Sequence, residues 1–469
     1  MTAPTAGRAA GPVIDAPPGT GPATEPVTEP ATVPVSRVAH RIAGLDRGGV
    51  GVLTIYLVLL FVIPARLAVG PAGTPASLFG LVMLALWTLG RLLGAPRASG
   101  LAPVQRLGAA FLFAMLASYV AATLRAAPGG EINAADRFVL FTLSSLGVLT
   151  YSCDALRDTD QVDRVVGRMV NFTAALAVVG IFQFFTGFDI TTLLQIPGLT
   201  ATAPLESLLE RDEFNRPSAT ATHPIEFAVV LAMAFPLALA RAFYPAPRHD
   251  RRRWFAVLAI AVALPMSLSR SGIVGLVVAG VVLLRGWPRS RVLRALLITP
   301  IFVVAMRLMV PGLIGTLRNL FTSIGSDSST RSRTDASNTA LNLFTDNPVF
   351  GRGMGTFLPS NYVILDNQWL LTLVDMGAVG LAVILSLFGA AFFSARRARD
   401  LTDDPRVREL GLALSASVAA IVVAFATFDA FSFPMAAETA FLIVGCCGAV
   451  LRIQRERAQD AGEKTTSTQ

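Results

Sequence analysis

The residues of this chain best suited to chemistry stand at the edges of apolar runs. Arg270 sits in SLSRSG (267–272), between WFAVLAIAVALPMSL (254–268) and GIVGLVVAGVVLL (272–284). Arg216 and His223 fall in NRPSATATHPIEFA (215–228), and Arg352, Gly353 and Gly355 in PVFGRGMGTF (348–357). Asp366 and Asn367 open LDNQWLLTLVDMGAVGL (365–381), and Asp375 follows about two to three helical turns later. Arg331 and Arg333 begin RSRTDASNTALNLFTDN (331–347). A guanidinium is a planar fork that matches phosphate oxygens in pairs, so arginines gathered at one place suit a polyanion. An imidazole or carboxylate beside them could take the proton of an attacking hydroxyl. Plainer readings stand next to these. His223 could be a helix cap, the glycines a tight turn, and Arg270 the ion-pair partner of Glu226 or Asp375.

The elements that must position these residues follow from composition. Of the 469 residues 53% are hydrophobic and 15% charged, and mean hydropathy is +0.60, which fits an all-α polytopic membrane protein and excludes an ordinary soluble domain. Net charge is +8, but Lys464 is the sole lysine, and the arginines alternate with apolar spans without forming a basic domain. Nucleic acid is therefore not an expected partner. The cysteines, Cys153, Cys446 and Cys447, form no CxxC pair, so neither a metal site nor a cofactor is expected.

Apolar runs near 50–69, 75–95, 105–124, 136–152, 165–187, 222–243, 254–268, 271–285, 295–313, 367–394, 409–430 and 434–451 predict about twelve transmembrane helices. With that number, the arginine clusters at 37–47, 91–106, 157–168, 245–253, 285–294, 395–400 and 452–457 all fall on one side, the cytoplasmic one, and so do both termini. The stretch 254–284 then has to be a hairpin that enters and leaves on that side, with Arg270 at its outer turn. The expected organisation is a disordered tail (1–45), an N-terminal bundle (46–187), a core (188–452) with outer loops 188–221 and 314–366, and a polar tail (453–469). Within the second loop, apolar residues at 336, 340, 343 and 344 predict a short helix lying along the membrane surface.

Four of these stretches, in this order, resemble the motifs of the O-antigen ligase and Wzy-type polysaccharide polymerase family. RPSATATHPIEFA is similar to its Arg…Thr-x-x-His-Pro element, and SLSRSGIVGL to its Ser-Arg-x-Gly span start. NPVFGRGMGTF followed by DNQWLLTLVDMGAVGL resembles its glycine-rich loop and tenth span, and FDAFSFPMAAETAFLIVG (428–445) its final span pair. The resemblance implies a GT-C-like fold and glycan transfer from an undecaprenyl-pyrophosphate carrier to an acceptor hydroxyl on the outer leaflet, with no metal or nucleotide sugar. It also implies that Arg216, Arg270 and Arg352 hold the pyrophosphate, with Arg331, Arg333, Gly353, Gly355, Asn367 and Asp375 around the substrate. Many ligases carry His where this chain has Asp366, so either Asp366 or His223 is the base. A flippase and a chain-length regulator are the protein partners this implies. The reading that competes is a transporter for a small anion or sugar, which the short arms of the 254–284 hairpin would suit.

Overall fold

The computed structural model describes residues 48–94, 100–194, 196–201, 208–211, 213–244, 251–322 and 328–466, with backbone alone for 251–252, 328–336 and 462–466. The tail expected over 1–45 lies outside them. Among the described residues fourteen α-helices run in chain order: α1 (Gly48–Phe61), α2 (Pro75–Leu92), α3 (Pro103–Leu124), α4 (Gly129–Ala155), α5 (Thr159–Thr186), α6 (Pro224–Phe243), α7 (Arg251–Met266), α8 (Arg270–Gly286), α9 (Arg289–Met309), α10 (Leu313–Thr322), α11 (Ser328–Asp346), α12 (Gln368–Asp400), α13 (Pro405–Phe425) and α14 (Pro434–Thr466). Proline opens α2, α3, α6, α13 and α14, where its missing N–H costs nothing. Thr74, Asp158, His223, Asn367 and Asp404 cap the helices that follow them by accepting backbone N–H bonds.

Among the described residues nine helices are long and apolar enough to cross a bilayer: α2 to α6, α9 and α12 to α14. Helices α1, α7 and α8 are shorter. The chain is thus an all-α, multi-pass membrane protein. Buried share separates the helices sharply: 94% of the apolar window of α14 lies inside the protein, against 6% for α9. Helix α14 is the centre of the bundle, packed by α4, α12 and α13. Helix α9 turns Leu296, Ile301, Val304 and Leu308 outward, a surface that only lipid tolerates.

The chain does turn back at 267–269. Leu268 takes a left-handed φ of +50° there, and at the far ends Trp254 and Trp287 both meet Phe243, with ring centroids 5.6 and 5.4 Å away. The two arms do not pack chiefly on each other; α7 lies against α5 and α6, and α8 against α6 and α13. The short helix read from the 336/340/343/344 spacing is α11. Helix α10 was not expected, and α14 runs to Thr466, past the point where polar composition suggested a tail. An i,i+4 pair, in which one Arg452 guanidinium nitrogen reaches both Glu456 oxygens at 3.0 Å, lies at the start of that extension.

Helix α12 is broken at Gly377 (φ +66°), and the glycine-rich loop docks into the break. Arg352 N–H and Gly353 N–H donate to the carbonyls of Val374 and Asp375, and Ala378 and Val379 N–H to those of Pro348 and Val349. A Cβ on Gly351 would stand 2.3 Å from the Asp375 carbonyl oxygen, so only glycine permits this backbone-to-backbone approach.

Candidate functional site

The site lies at the end of the bundle where α4, α6, α8, α12 and α14 begin. Buried side chains tie these starts together. The Glu226 carboxylate accepts from Thr222 N–H and Oγ–H (both 2.7 Å) and from Met435 (2.7 Å) and Ala436 N–H (3.1 Å), so one residue joins the N-termini of α6 and α14. Gln368 donates its backbone N–H to the Phe428 carbonyl at 3.0 Å and accepts Phe431 N–H at 2.8 Å, joining the start of α12 to the loop before α14. Gln183 Oε1 accepts Ser218 and Ala219 N–H (3.2 and 2.7 Å), which fixes the strand of chain carrying Arg216 to His223.

Arg216 is buried, and its guanidinium makes no side-chain hydrogen bond to any described residue; Nε is fully enclosed. Burial, then the nearby Arg211, pulls its pKa down to about 10. Arg211 donates to the Leu268 carbonyl at 3.1 Å and so fastens this segment to the turn just before Arg270. Arg270, half-buried, is the first residue of α8; Ser269 before it has a buried Oγ that meets no described partner, and Ser271 after it shares a 2.7 Å bond with Thr427. An enclosed donor left unpaired costs about 1–3 kcal/mol; among the described residues Arg216 Nε and Ser269 Oγ are two such atoms, and Ser144, Ser145, Thr439 and Gln454 hold others.

His223 is both a cap and a neighbour of charge. Its Nδ1 accepts Ile225 N–H at 3.1 Å, and its ring lies 5.9 Å from that of Phe433. Burial pushes its pKa down to about 4, helped by Arg216 and Arg211 and opposed by Asp366. The structure therefore groups Arg216, His223 and Asp366. Asp366 lines a cleft of about 220 Å³ with Asn367, Leu370, Thr427 and Ser337 of α11, while Asn367 caps α12 by accepting Trp369 and Leu370 N–H at 3.0 and 3.1 Å.

Other expected residues stand elsewhere or are spoken for. Arg352 stacks on Tyr362, with its guanidinium carbon 4.6 Å from the ring centroid, and donates to the Tyr362 hydroxyl, which donates in turn to Glu131 at 3.0 Å. Asp375 accepts Gly355 N–H at 2.8 Å and Phe357 N–H at 3.2 Å, so its carboxylate pins the glycine-rich loop. A Cβ at Gly353 would lie 2.3 Å from Ala122 Cβ, and one at Gly355 2.1 Å from Phe138. Those glycines let the loop approach α3 and α4. The side chains of Arg331 and Arg333 lie outside the described residues. Among the described residues no cluster of three or more His, Cys, Asp or Glu has the arrangement of a metal site.

Sequence reasoning passed over three residues. Asp429, in the loop before α14, lines a second cleft of about 210 Å³ with Asp375, Phe357 and Arg137. Burial, and after it the charge of Asp366, raises its pKa to about 6. FDAFSFP did contain the signal, a lone acid at a span boundary. Arg211 and Arg137 gave less: the first stands in a charged loop, and the second reads as the polar edge of a span.

Residues 255–385 match the family model described as O-Antigen ligase. No curated protein matches the chain. The matched region supplies Arg270, Arg352, Asp366, Asn367 and Asp375, while Arg216 and His223 come from the segment before it, held against it by Arg211. The match supports placing this chain with the O-antigen ligase family of membrane proteins.

Proposed function

We propose that this protein transfers a glycan from an undecaprenyl-pyrophosphate-linked donor to an acceptor hydroxyl at the outer leaflet of the plasma membrane, as a ligase or polysaccharide polymerase of GT-C-like architecture. The carrying observation is the buried guanidinium of Arg216, without a side-chain partner among the described residues and in electrostatic reach of His223 and Asp366. Arg216 and Arg270, with the Ser269 hydroxyl, hold the diphosphate. The acceptor oxygen forms a bond to the anomeric carbon as the bond from that carbon to the diphosphate oxygen breaks, inverting the centre. The electron pair leaves on the diphosphate, where the preorganised guanidinium groups offset the growing charge. The acceptor proton passes to Asp366.

Asp366 suits the base role better than His223 for a geometric reason. A backbone N–H can only donate, so the bond from Ile225 makes Nδ1 the acceptor and leaves the ring proton on Nε2. The single lone pair of the neutral imidazole is then used. His223 acts as a donor toward the diphosphate or Asp366, and its low pKa keeps it neutral while it does so. Arg331, Arg333 and Arg352 would meet the glycan at the rim. Both termini are cytoplasmic in this reading, and a flippase would supply the donor.

In a strain lacking the native gene, Arg216→Ala or Arg270→Ala protein should reach the membrane in normal amount, yet polymer should stop and lipid-linked repeat units accumulate. Normal polymer in either variant, with uptake of a small solute lost instead, would replace this reading with a carrier.

A further inference from the structure

We infer that Arg137 holds the phosphate of a second lipid-borne substrate, in a cleft formed outside the family-matched domain. Arg137 is exposed, and it makes no hydrogen bond or ion pair with any described residue. It sits eight residues into α4, counted from Gly129, as the second residue of the apolar run 136–152. A guanidinium at the edge of a span reaches for an anionic headgroup or a wet cavity.

The structure gives it both a cavity and apolar walls. A cleft of about 220 Å³ is lined by Leu81 of α2, Leu140 and Phe141 of α4, and Thr222, Ser432 and Pro434; Arg137 is its one charged residue. Its floor is closed by Ser77, which donates to Glu438, so the acid there is already occupied. Arg137 and Ser432 also line the neighbouring cleft of Asp429 and Asp375, and Ile364 and Leu365 carry that one on into the cleft of Asp366. The three clefts therefore share walls in the order Arg137, Asp429, Asp366, and Thr427 of the last one bonds Ser271, next to Arg270. Apolar walls beside a lone cation match a phosphate ester on a hydrocarbon tail. A water-soluble sugar would use neither. The arrangement lets a tail lie along Leu140, its phosphate at Arg137, and its glycan run through the Asp429 cleft to the base. The occupant is the acceptor, and it is a polyprenyl phosphate-linked glycan; this rests on the transferase reading above.

Native mass spectrometry of the full chain, released from detergent with undecaprenyl phosphate, would count the sites. The wild type should bind two molecules and Arg137→Gln one, with affinity for the second lowered on the order of 10- to 100-fold. Arg216→Gln should keep the Arg137 molecule, and undecaprenol, without phosphate, should leave that site empty. If Arg137→Gln still binds two, the inference fails. If phosphatidylglycerol displaces the second molecule at equal concentration, the site is an ordinary phospholipid contact and the inference also fails. If Arg216→Gln binds as the wild type does while Arg137→Gln loses one, the proposed diphosphate grip fails and this inference stands.

Discussion

The two ends of the bundle use arginine in opposite ways. At the end where α6 and α8 finish, guanidinium groups are consumed by the protein. Arg91 pairs with Asp154 (2.9 Å), Arg241 with Asp163 (2.7 Å) and Arg291 with Glu409 (2.9 Å). Arg399 and Arg253 donate to the carbonyls of Gly286, and of Arg241 and Tyr244, closing helix ends that would otherwise leave acceptors bare. At the site end some arginines are also used up, as in Arg66 with Asp189 and Arg125 with Glu131. Arg216 and Arg137, however, make no such bond. Enclosed Nε atoms occur at both ends, in Arg91 and Arg399 as well as Arg216, but the first two have another guanidinium nitrogen engaged. The difference separates arginines that hold the fold from arginines the fold holds ready.

That contrast can be broken in several places. The largest effect should come from Asp366→Asn, which should slow glycan transfer on the order of 10²- to 10⁴-fold in a membrane assay. His223→Asn, which keeps a good helix cap, should cost far less, and equal losses would return the base role to the histidine. Arg216→Gln should lower the transfer rate about 10²- to 10³-fold with unchanged folding, read by thermal denaturation in detergent. Gly355→Val must force φ +77° on a branched residue and drive its Cβ into Phe138. Roughly 2–4 kcal/mol of stability should go, visible as a lower melting temperature. Arg291→Gln, at the other end, should cost roughly 1–3 kcal/mol of stability and leave transfer per folded molecule intact.

The last prediction is a pair of opposed pH dependences. His223 titrates near 4 when folded and 6.5 when free, so the unfolded chain binds more protons between those values and stability falls as pH drops through that window. Asp429 titrates near 6 when folded and 3.8 when free, so the folded chain binds more protons there and stability falls as pH rises. From pH 4 to 6 these two contributions oppose each other, so each is read as the difference between wild type and variant. His223→Asn should expose the loss on raising pH, and Asp429→Asn the loss on lowering it, in melts across that range.

Much of the fold was legible because apolar length and arginine placement are local signals. They gave the helices and the return at 267–269, and the 336/340/343/344 spacing gave helix α11. Helix α10 was hidden because LIGTLRNLFT falls just past the span 295–313, in the stretch read as outer loop 314–366. Partner choice was not legible at all. Asp375 could equally have met Arg270, and only the break at Gly377 delivers the amides of Gly355 and Phe357 to it instead. Of the proposed site, Arg216, His223, Arg270 and Asp366 stood out in motifs. Asp429 and Arg137 line clefts with residues hundreds of positions away, and periodicity carries no trace of that.

The contrast between the ends is tested most directly by the affinity of the purified protein for undecaprenyl diphosphate in Arg216→Gln and Arg291→Gln, each measured against the wild type. Arg216→Gln should bind at least about tenfold more weakly and Arg291→Gln as the wild type does. Equal affinities, or a loss confined to Arg291→Gln, would mean that the unpartnered guanidinium of Arg216 is not the diphosphate grip.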